Sequence, residues 1–188
     1  MGKLRLFVAL ELPADIRQAL CSILQNVAGF HSVKWVEPGN LHLTLLFLGD
    51  QMERDLPVIA AALWQVAQLT TSFPIKLGGF DAFPSRRKPK TLFVPVQAGE
   101  GPLGNLVENL SKALQKEKIT FDLKPFHGHV TLGRSKTLKG LGPLVALVSS
   151  VCAQITGEMN VEHFVLFQSR LTEKGPIYTA VEKFRLGG

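Results

Sequence analysis

Displacing the amino-acid sequence by 87 residues lays one half of it on the other. Leu4–Leu10 falls on Thr91–Gln97, the helix-patterned Ala14–Val27 on Gly101–Leu114, Leu41–Leu48 on Gly128–Ser135, and Glu53–Gln68 on Gly140–Ile155. One displacement thus aligns strand, helix, strand and helix in the same order. Identity between the halves is low, so the repeat rests on that order. At 188 residues the chain can fill one domain or two small lobes sharing a core, and neither lobe could bury a sheet face by itself. The expectation is one α+β domain spanning residues 1–188, built on an approximate repeat of 4–82 and 91–169. Its two pseudo-symmetric lobes would each be a mainly antiparallel sheet with helices on the outer face, around a central cleft.

The elements follow from hydrophobic period and punctuation. Leu4–Leu12 is dominated by apolar and branched residues and stops at Pro13, which reads as a buried strand feeding a helix. Ile16, Leu20, Ile23, Leu24 and Val27 then recur at helical spacing, predicting a helix over 14–27. A strand over Leu41–Leu48 is expected to stop at Gly49-Asp50, and a helix to run from about Glu53 to Gln68. Strands near Phe73–Phe80 and Thr91–Val96 flank the basic loop Ser85-Arg86-Arg87-Lys88-Pro89-Lys90. The second half predicts a helix near Leu103–Lys116, a strand near Gly128–Arg134, a helix near Leu138–Ala153, and strands near Val161–Phe167 and Ile177–Phe184.

Composition excludes several classes. With 46% hydrophobic and 19% charged residues the chain is not disordered. Its longest apolar run, Leu56–Ala67, is broken by Pro57 and Gln65 and is too short to span a bilayer, so a soluble protein without membrane partners is expected. Cys21 and Cys152 sit in apolar stretches with no metal-ligand spacing and no signal peptide upstream, which reads as free thiols in a cytoplasmic protein. A net charge of +6 attracts polyanions where it is clustered, and the loop Arg86–Lys90 is either a contact for RNA phosphates or a solvated hairpin tip.

The displacement also lays His42-Leu43-Thr44-Leu45 on His129-Val130-Thr131-Leu132, two copies of His-x-Thr-x with apolar x positions. Five histidines and ten threonines would give roughly 0.3 such pairs by chance. On a strand, alternate side chains share a face, so each His and Thr would point into the cleft while the leucines and valine point into a core. One such motif alone would read as a core histidine bonded to its own threonine. Two at matching places read as a site. A metal centre is disfavoured, because two histidines without a neighbouring carboxylate or thiolate leave too few ligands for zinc. In-line displacement at phosphorus needs a base on the attacking oxygen, an acid on the leaving oxygen, and donors on the oxygens between. Two imidazoles and two hydroxyls around a pseudo-twofold axis match that need, and imidazole titrates where either role is open at neutral pH. The residues therefore point to phosphodiester hydrolysis without metal or cofactor.

These residues resemble the 2H phosphoesterases, and among them the RNA 2′,3′-cyclic phosphodiesterases, also called 2′-5′ RNA ligases. The resemblance runs through Arg5-Leu6-Phe7-Val8-Ala9-Leu10-Glu11-Leu12-Pro13, Trp35-Val36-x-Pro38-x-Asn40 leading into the first motif, Phe47-Leu48-Gly49, and His129 to Ser135. It closes on Phe167-Gln168-Ser169-x-Leu171 and Gly175-x-x-Tyr178. It implies hydrolysis of RNA ends or nucleoside 2′,3′-cyclic phosphates to the 2′-phosphomonoester, with reversible 2′-5′ ligation as a further possibility. The implied roles are His42 as proton donor to the 3′ oxygen, His129 as proton acceptor from water, and Thr44, Thr131 and Arg134 as phosphate contacts. Phe47 would stack on a base, and the implied state is a monomer. The alternatives are a nucleotide- or RNA-binding module with the same cleft, or a phosphodiesterase for another cyclic or 2′-5′-linked nucleotide.

Phe47 and Arg134 lie five residues beyond their histidines, an odd offset that an ideal strand turns to the opposite face. A bend or a strand end is therefore expected there, with Gly133 as the candidate for it. Gly128 stands where the family usually has Pro, and His127 beside it is expected to give a supporting polar contact. His31 and His163 lack a threonine two residues on and read as ordinary surface or strand residues.

Overall fold

A computed structural model describes residues 2–137, 141–153, 156–173 and 175–187. Ten strands lie in the order β10-β9-β1-β3-β7-β6-β4-β8, with β2 against β7 and β5 against β6. In chain order they are β1 (Lys3–Glu11), β2 (Val33–Trp35), β3 (His42–Met52), β4 (Phe73–Gly78), β5 (Asp81–Phe83), β6 (Thr91–Ala98), β7 (His129–Ser135), β8 (Thr156–Val161), β9 (His163–Thr172) and β10 (Gly175–Arg185). The helices are α1 (Ala14–Val27), α2 (Leu56–Leu69), α3 (Glu100–Lys116) and α4 (Gly142–Cys152). The described pairings are all antiparallel, and the two expected lobes meet where β3 and β7 pair through a single position, Leu43 opposite Val130.

Helix α1 occupies the span its spacing predicts and buries the five residues that define that spacing. Pro13 precedes it and Asp15 lies in the first turn, where a carboxylate favours the positive end of the helix. Helix α3 buries Leu103, Leu106, Val107, Leu110 and Leu114 in the same way. It starts at Gly99, whose φ is +84° and whose missing Cβ would come within 2.9 Å of Ile75 Cγ2; the turn and the close approach both demand glycine. Of the helix expected over Leu138–Ala153, residues 138–140 lie outside the described residues.

Three features depart from the reading of the sequence. Strand β3 does not stop at Gly49-Asp50. Gly49 takes φ +69° beside a register shift, and pairing resumes from Gly49 opposite Leu6 to Met52 opposite Lys3. The single strand expected over Val161–Phe167 is two, β8 ending at Val161 and β9 beginning at His163. Finally, β4 follows the first-half helix α2 but pairs with β6 and β8, while β9 follows α4 but pairs with β1. Each lobe is therefore built from both halves of the sequence, and the core runs continuously through them. Such an exchange ties the lobes together and holds their junction, where both motifs sit, in one place.

The candidate active site

With Leu43 opposite Val130 in an antiparallel pair, His42 lies across from Thr131 and Thr44 across from His129. Leu43 and Val130 are fully buried, so alternation turns all four motif side chains to the other face. The strand junction thus brings the two motifs together.

Each imidazole is oriented by its own backbone. His42 Nδ1 lies 2.7 Å from the Asn40 carbonyl and His129 Nδ1 lies 2.7 Å from the His127 carbonyl. A carbonyl only accepts, so both Nδ1 atoms carry the proton and each neutral ring leaves Nε2 as its basic atom. His42 Nε2 is 2.9 Å from Thr44 Oγ1, whose hydroxyl donates to it. His127 therefore supports the second motif through its carbonyl, while its ring lies 5.7 Å from that of Phe83.

Aromatic rings box in both imidazoles. His42 sits 5.1 Å from Phe7 and edge-on to Tyr178 at 5.2 Å; His129 sits 4.9 Å from Phe93 and edge-on to Phe83 at 5.3 Å. Burial lowers both pKa values below the usual 6.5, and the positive charge of neighbours lowers them further: His129 acts on His42, and His127 and Arg134 act on His129. Both shifts favour the neutral imidazole. A bound phosphate anion works in the opposite direction and favours an imidazolium.

Phe47 and Arg134 reach the cleft past the kind of bend expected, and in both strands it is a bulge. Between Val8 and Ala9 the β1–β3 register skips Leu45, and Leu45 and Leu46 are buried in succession. Between Leu92 and Phe93 the β6–β7 register skips Leu132, and Leu132 and Gly133 are buried in succession. Each skipped residue is a bulge that resets the alternation, so the odd offset ends on the same face as the histidine. Gly133 follows the skipped Leu132 directly. It makes room for neighbours, since a Cβ there would stand 2.6 Å from Val33 Cγ1 and 2.8 Å from Trp35 Cε3.

A cavity of about 600 Å³ is lined by His42, Thr44, Phe47, Thr131 and Arg134, five of the six expected site residues. The sixth, His129, opens on an adjoining cavity of about 650 Å³ that shares Thr44 and Phe47 as walls. Phe47 is 50% exposed and its ring is 6.2 Å from Phe7, which leaves one face free. The first cavity also contains Arg5, Asn40, Ser169 and Tyr178, to which the sequence reading gave no role. Arg5, Ser169 and Tyr178 stood in the segments that carry the resemblance, but nothing in their spacing ties them to the motifs. Asn40 is the hinge of this wall. Its carbonyl fixes His42, and its side-chain amide donates to the Pro176 carbonyl at 2.9 Å, holding the β9–β10 hairpin with Tyr178 against the imidazole.

The remaining candidates lie apart from the motifs. His163 contacts Glu11 at 3.2 Å, and His31 is exposed. Cys21 and Cys152 are unpaired, and burial pushes the Cys152 thiol up to about 12. Among the described residues no three His, Cys, Asp or Glu side chains are grouped to hold a metal, and no helix is long and apolar enough to cross a membrane.

The model of the LigT-like phosphoesterase family matches the chain twice, over residues 10–93 and 94–178. The chain is 39% identical to the RNA 2′,3′-cyclic phosphodiesterase of Archaeoglobus fulgidus over 96% of its own length and 99% of that protein's. To the Thermus thermophilus protein of the same name it is 37% identical, covering 98% and 91%. Among solved structures, TT0787 of Thermus thermophilus superposes with a TM-score of 0.81 at 34% identity over 98% of both chains. E. coli LigT, complexed with 3′-AMP, shares the fold with a TM-score of 0.79 at 21% identity over the whole of both chains. With both halves matched by one family model and relatives above 30% identity along the full length, the chain belongs to the LigT-like phosphoesterase family.

Proposed function

We propose that this protein hydrolyses RNA or nucleoside 2′,3′-cyclic phosphates to 2′-phosphomonoesters, using its two His-x-Thr motifs and no metal. The observation that carries the reading is the junction of β3 and β7, where two imidazoles whose Nε2 atoms are left basic and two threonine hydroxyls share one face. Relatives named RNA 2′,3′-cyclic phosphodiesterases, similar along the full length, support the substrate class.

Substrate binds as an anion between the histidines. Its charge raises the pKa of His42, which becomes the proton donor to the departing 3′ oxygen. His129 remains neutral beside Arg134 and takes the proton of the attacking water on Nε2. Thr44, Thr131 and the Arg134 guanidinium hold the non-bridging oxygens, and the base of the nucleoside stacks on the free face of Phe47. The bond from phosphorus to the 2′ oxygen survives, so the product is the 2′-phosphate. Each proton transfer contributes roughly 10² to 10⁴ in rate. The protein acts as a monomer in the cytoplasm.

Incubation with 2′,3′-cyclic nucleotides in excess EDTA tests this reading. Formation of the 2′-phosphate at a rate unaffected by chelation supports it. Binding without turnover would make the protein a nucleotide-binding module instead.

A further inference from the structure

Resting on the reading above, we infer that Tyr178 is a further catalytic residue, whose hydroxyl donates to a non-bridging oxygen of the reacting phosphoryl group between His42 and Arg134. Tyr178 is the one tyrosine of the chain. From β10 its side chain enters the cavity that also holds His42, Thr44, Thr131 and Arg134. Among the described residues nothing hydrogen-bonds its hydroxyl, and that oxygen is not shut away from the cavity. Packing against His42 needs only a ring, which phenylalanine would supply with no polar group to satisfy. The hydroxyl is left for whatever fills the cleft.

The ring is fixed before substrate arrives. It stands edge-on to His42 at 5.2 Å and to Phe7 at 4.9 Å, and its strand pairs Tyr178 with Ser169 of β9, another wall of the same cavity. Two residues earlier the Pro176 carbonyl accepts from the Asn40 amide, while the Asn40 carbonyl orients His42. Imidazole and phenol are thus anchored to the same residue, which keeps the acid and the hydroxyl in one relative position.

The surroundings make the hydroxyl a donor. Burial pushes its pKa above the usual 10, and the charge of Arg134, felt across the cleft, opposes that rise. The phenol therefore keeps its proton at neutral pH. Negative charge builds on the non-bridging oxygens during the displacement, in the space between His42 on the departing oxygen and the Arg134 guanidinium. A hydroxyl held there bonds more strongly as that charge grows, and no bond at the tyrosine is made or broken.

Tyr178→Phe tests this, because it keeps the ring and removes no hydrogen bond within the described residues; thermal unfolding checks that the variant folds as the wild type does. Removing one preorganised donor costs roughly 10² to 10³ in rate, and for this half-buried side chain kcat/KM on a 2′,3′-cyclic mononucleotide is expected to fall at least about tenfold. The two diastereomeric 2′,3′-cyclic phosphorothioates then identify the bond, since sulfur accepts hydrogen bonds weakly. For the diastereomer with sulfur at the oxygen that Tyr178 holds, the ratio of oxygen to sulfur rates is expected to shrink at least about fivefold in the variant. For the other diastereomer it should be the same in both proteins. An unchanged kcat/KM overturns the inference, and so does a fall that leaves both ratios as in the wild type, which would make Tyr178 a packing residue; both outcomes leave the hydrolase reading standing. Absence of hydrolysis in the wild type overturns both.

Discussion

Replacing Gly128 by Ala tests how tightly the second motif is packed. Gly128 has no left-handed backbone, so alanine is conformationally admissible and would by itself stabilise by about 0.4–1 kcal/mol through the unfolded chain. Space decides against it. The new methyl would stand 2.8 Å from Val96 Cγ2 and 3.0 Å from Leu103 Cδ2, both buried, and the backbone cannot retreat because the Val96 amide donates to the Gly128 carbonyl at 2.9 Å. Overpacking of this kind costs about 1–3 kcal/mol, which leaves a net loss of about 1.3 kcal/mol. For a chain of this size that lowers Tm by about 3–5 °C in thermal unfolding. The His127 carbonyl that orients His129 lies one residue away, so kcat should fall by up to about tenfold as the ring is displaced. Val96→Ala alone should cost about 2 kcal/mol. Combined with Gly128→Ala it opens the space the new methyl needs, and the double variant should be at least about 1 kcal/mol more stable than the two losses added. A Gly128→Ala protein as stable as wild type, or strictly additive losses, would refute the packing argument.

Four further outcomes follow from the same geometry. Because burial lowers both imidazole pKa values, kcat/KM should peak below pH 6.5 and fall as pH rises and the acid loses its proton. The kcat profile should lie higher, since bound phosphate opposes that shift; a kcat/KM maximum above about pH 7.5 would contradict the stated electrostatics. Both histidines stabilise the fold fully above about pH 6.5, and that contribution is lost on acidification, when the unfolded chain binds protons first. Gln51→Leu strands the Leu48 and Thr120 carbonyls that its amide now joins and should cost about 1–3 kcal/mol in denaturant unfolding; an unchanged midpoint would show that these bonds are not needed. In the basic loop Arg86 is held by Asp81 and the Phe80 carbonyl, which leaves Arg87, Lys88 and Lys90 for RNA. Changing these three to Gln should abolish any preference for oligonucleotides that weakens with salt, and should spare mononucleotides; equal salt slopes for both substrates in the wild type would make the loop a solvated turn.

The motifs were legible because they follow simple alternation on two strands, and the helices because five apolar residues at the right spacing define a face, as in α1. The bulges at Leu45 and Leu132 were not. Each inserts one more apolar residue into an apolar run, and no local pattern marks which leucine leaves the ladder. The exchange of β4 and β9 between lobes was equally hidden, since strand pairing is a non-local choice among sequences of similar β propensity. Asn40 and Tyr178 went unassigned for the same reason. A hydrogen bond from Asn40 to Pro176, 136 residues away, helps bring them together at the site.

The central claim is that His42 and His129 serve one displacement from opposite sides. Turnover of a 2′,3′-cyclic mononucleotide by His42→Ala, His129→Ala and the double variant, each checked for folding, tests it most directly. Each single substitution should remove most of kcat with little change in nucleotide binding, and the double variant should be scarcely slower than the slower single, because the two groups act as a unit. Either single variant retaining near wild-type kcat, or losses that multiply in the double variant, would contradict the account.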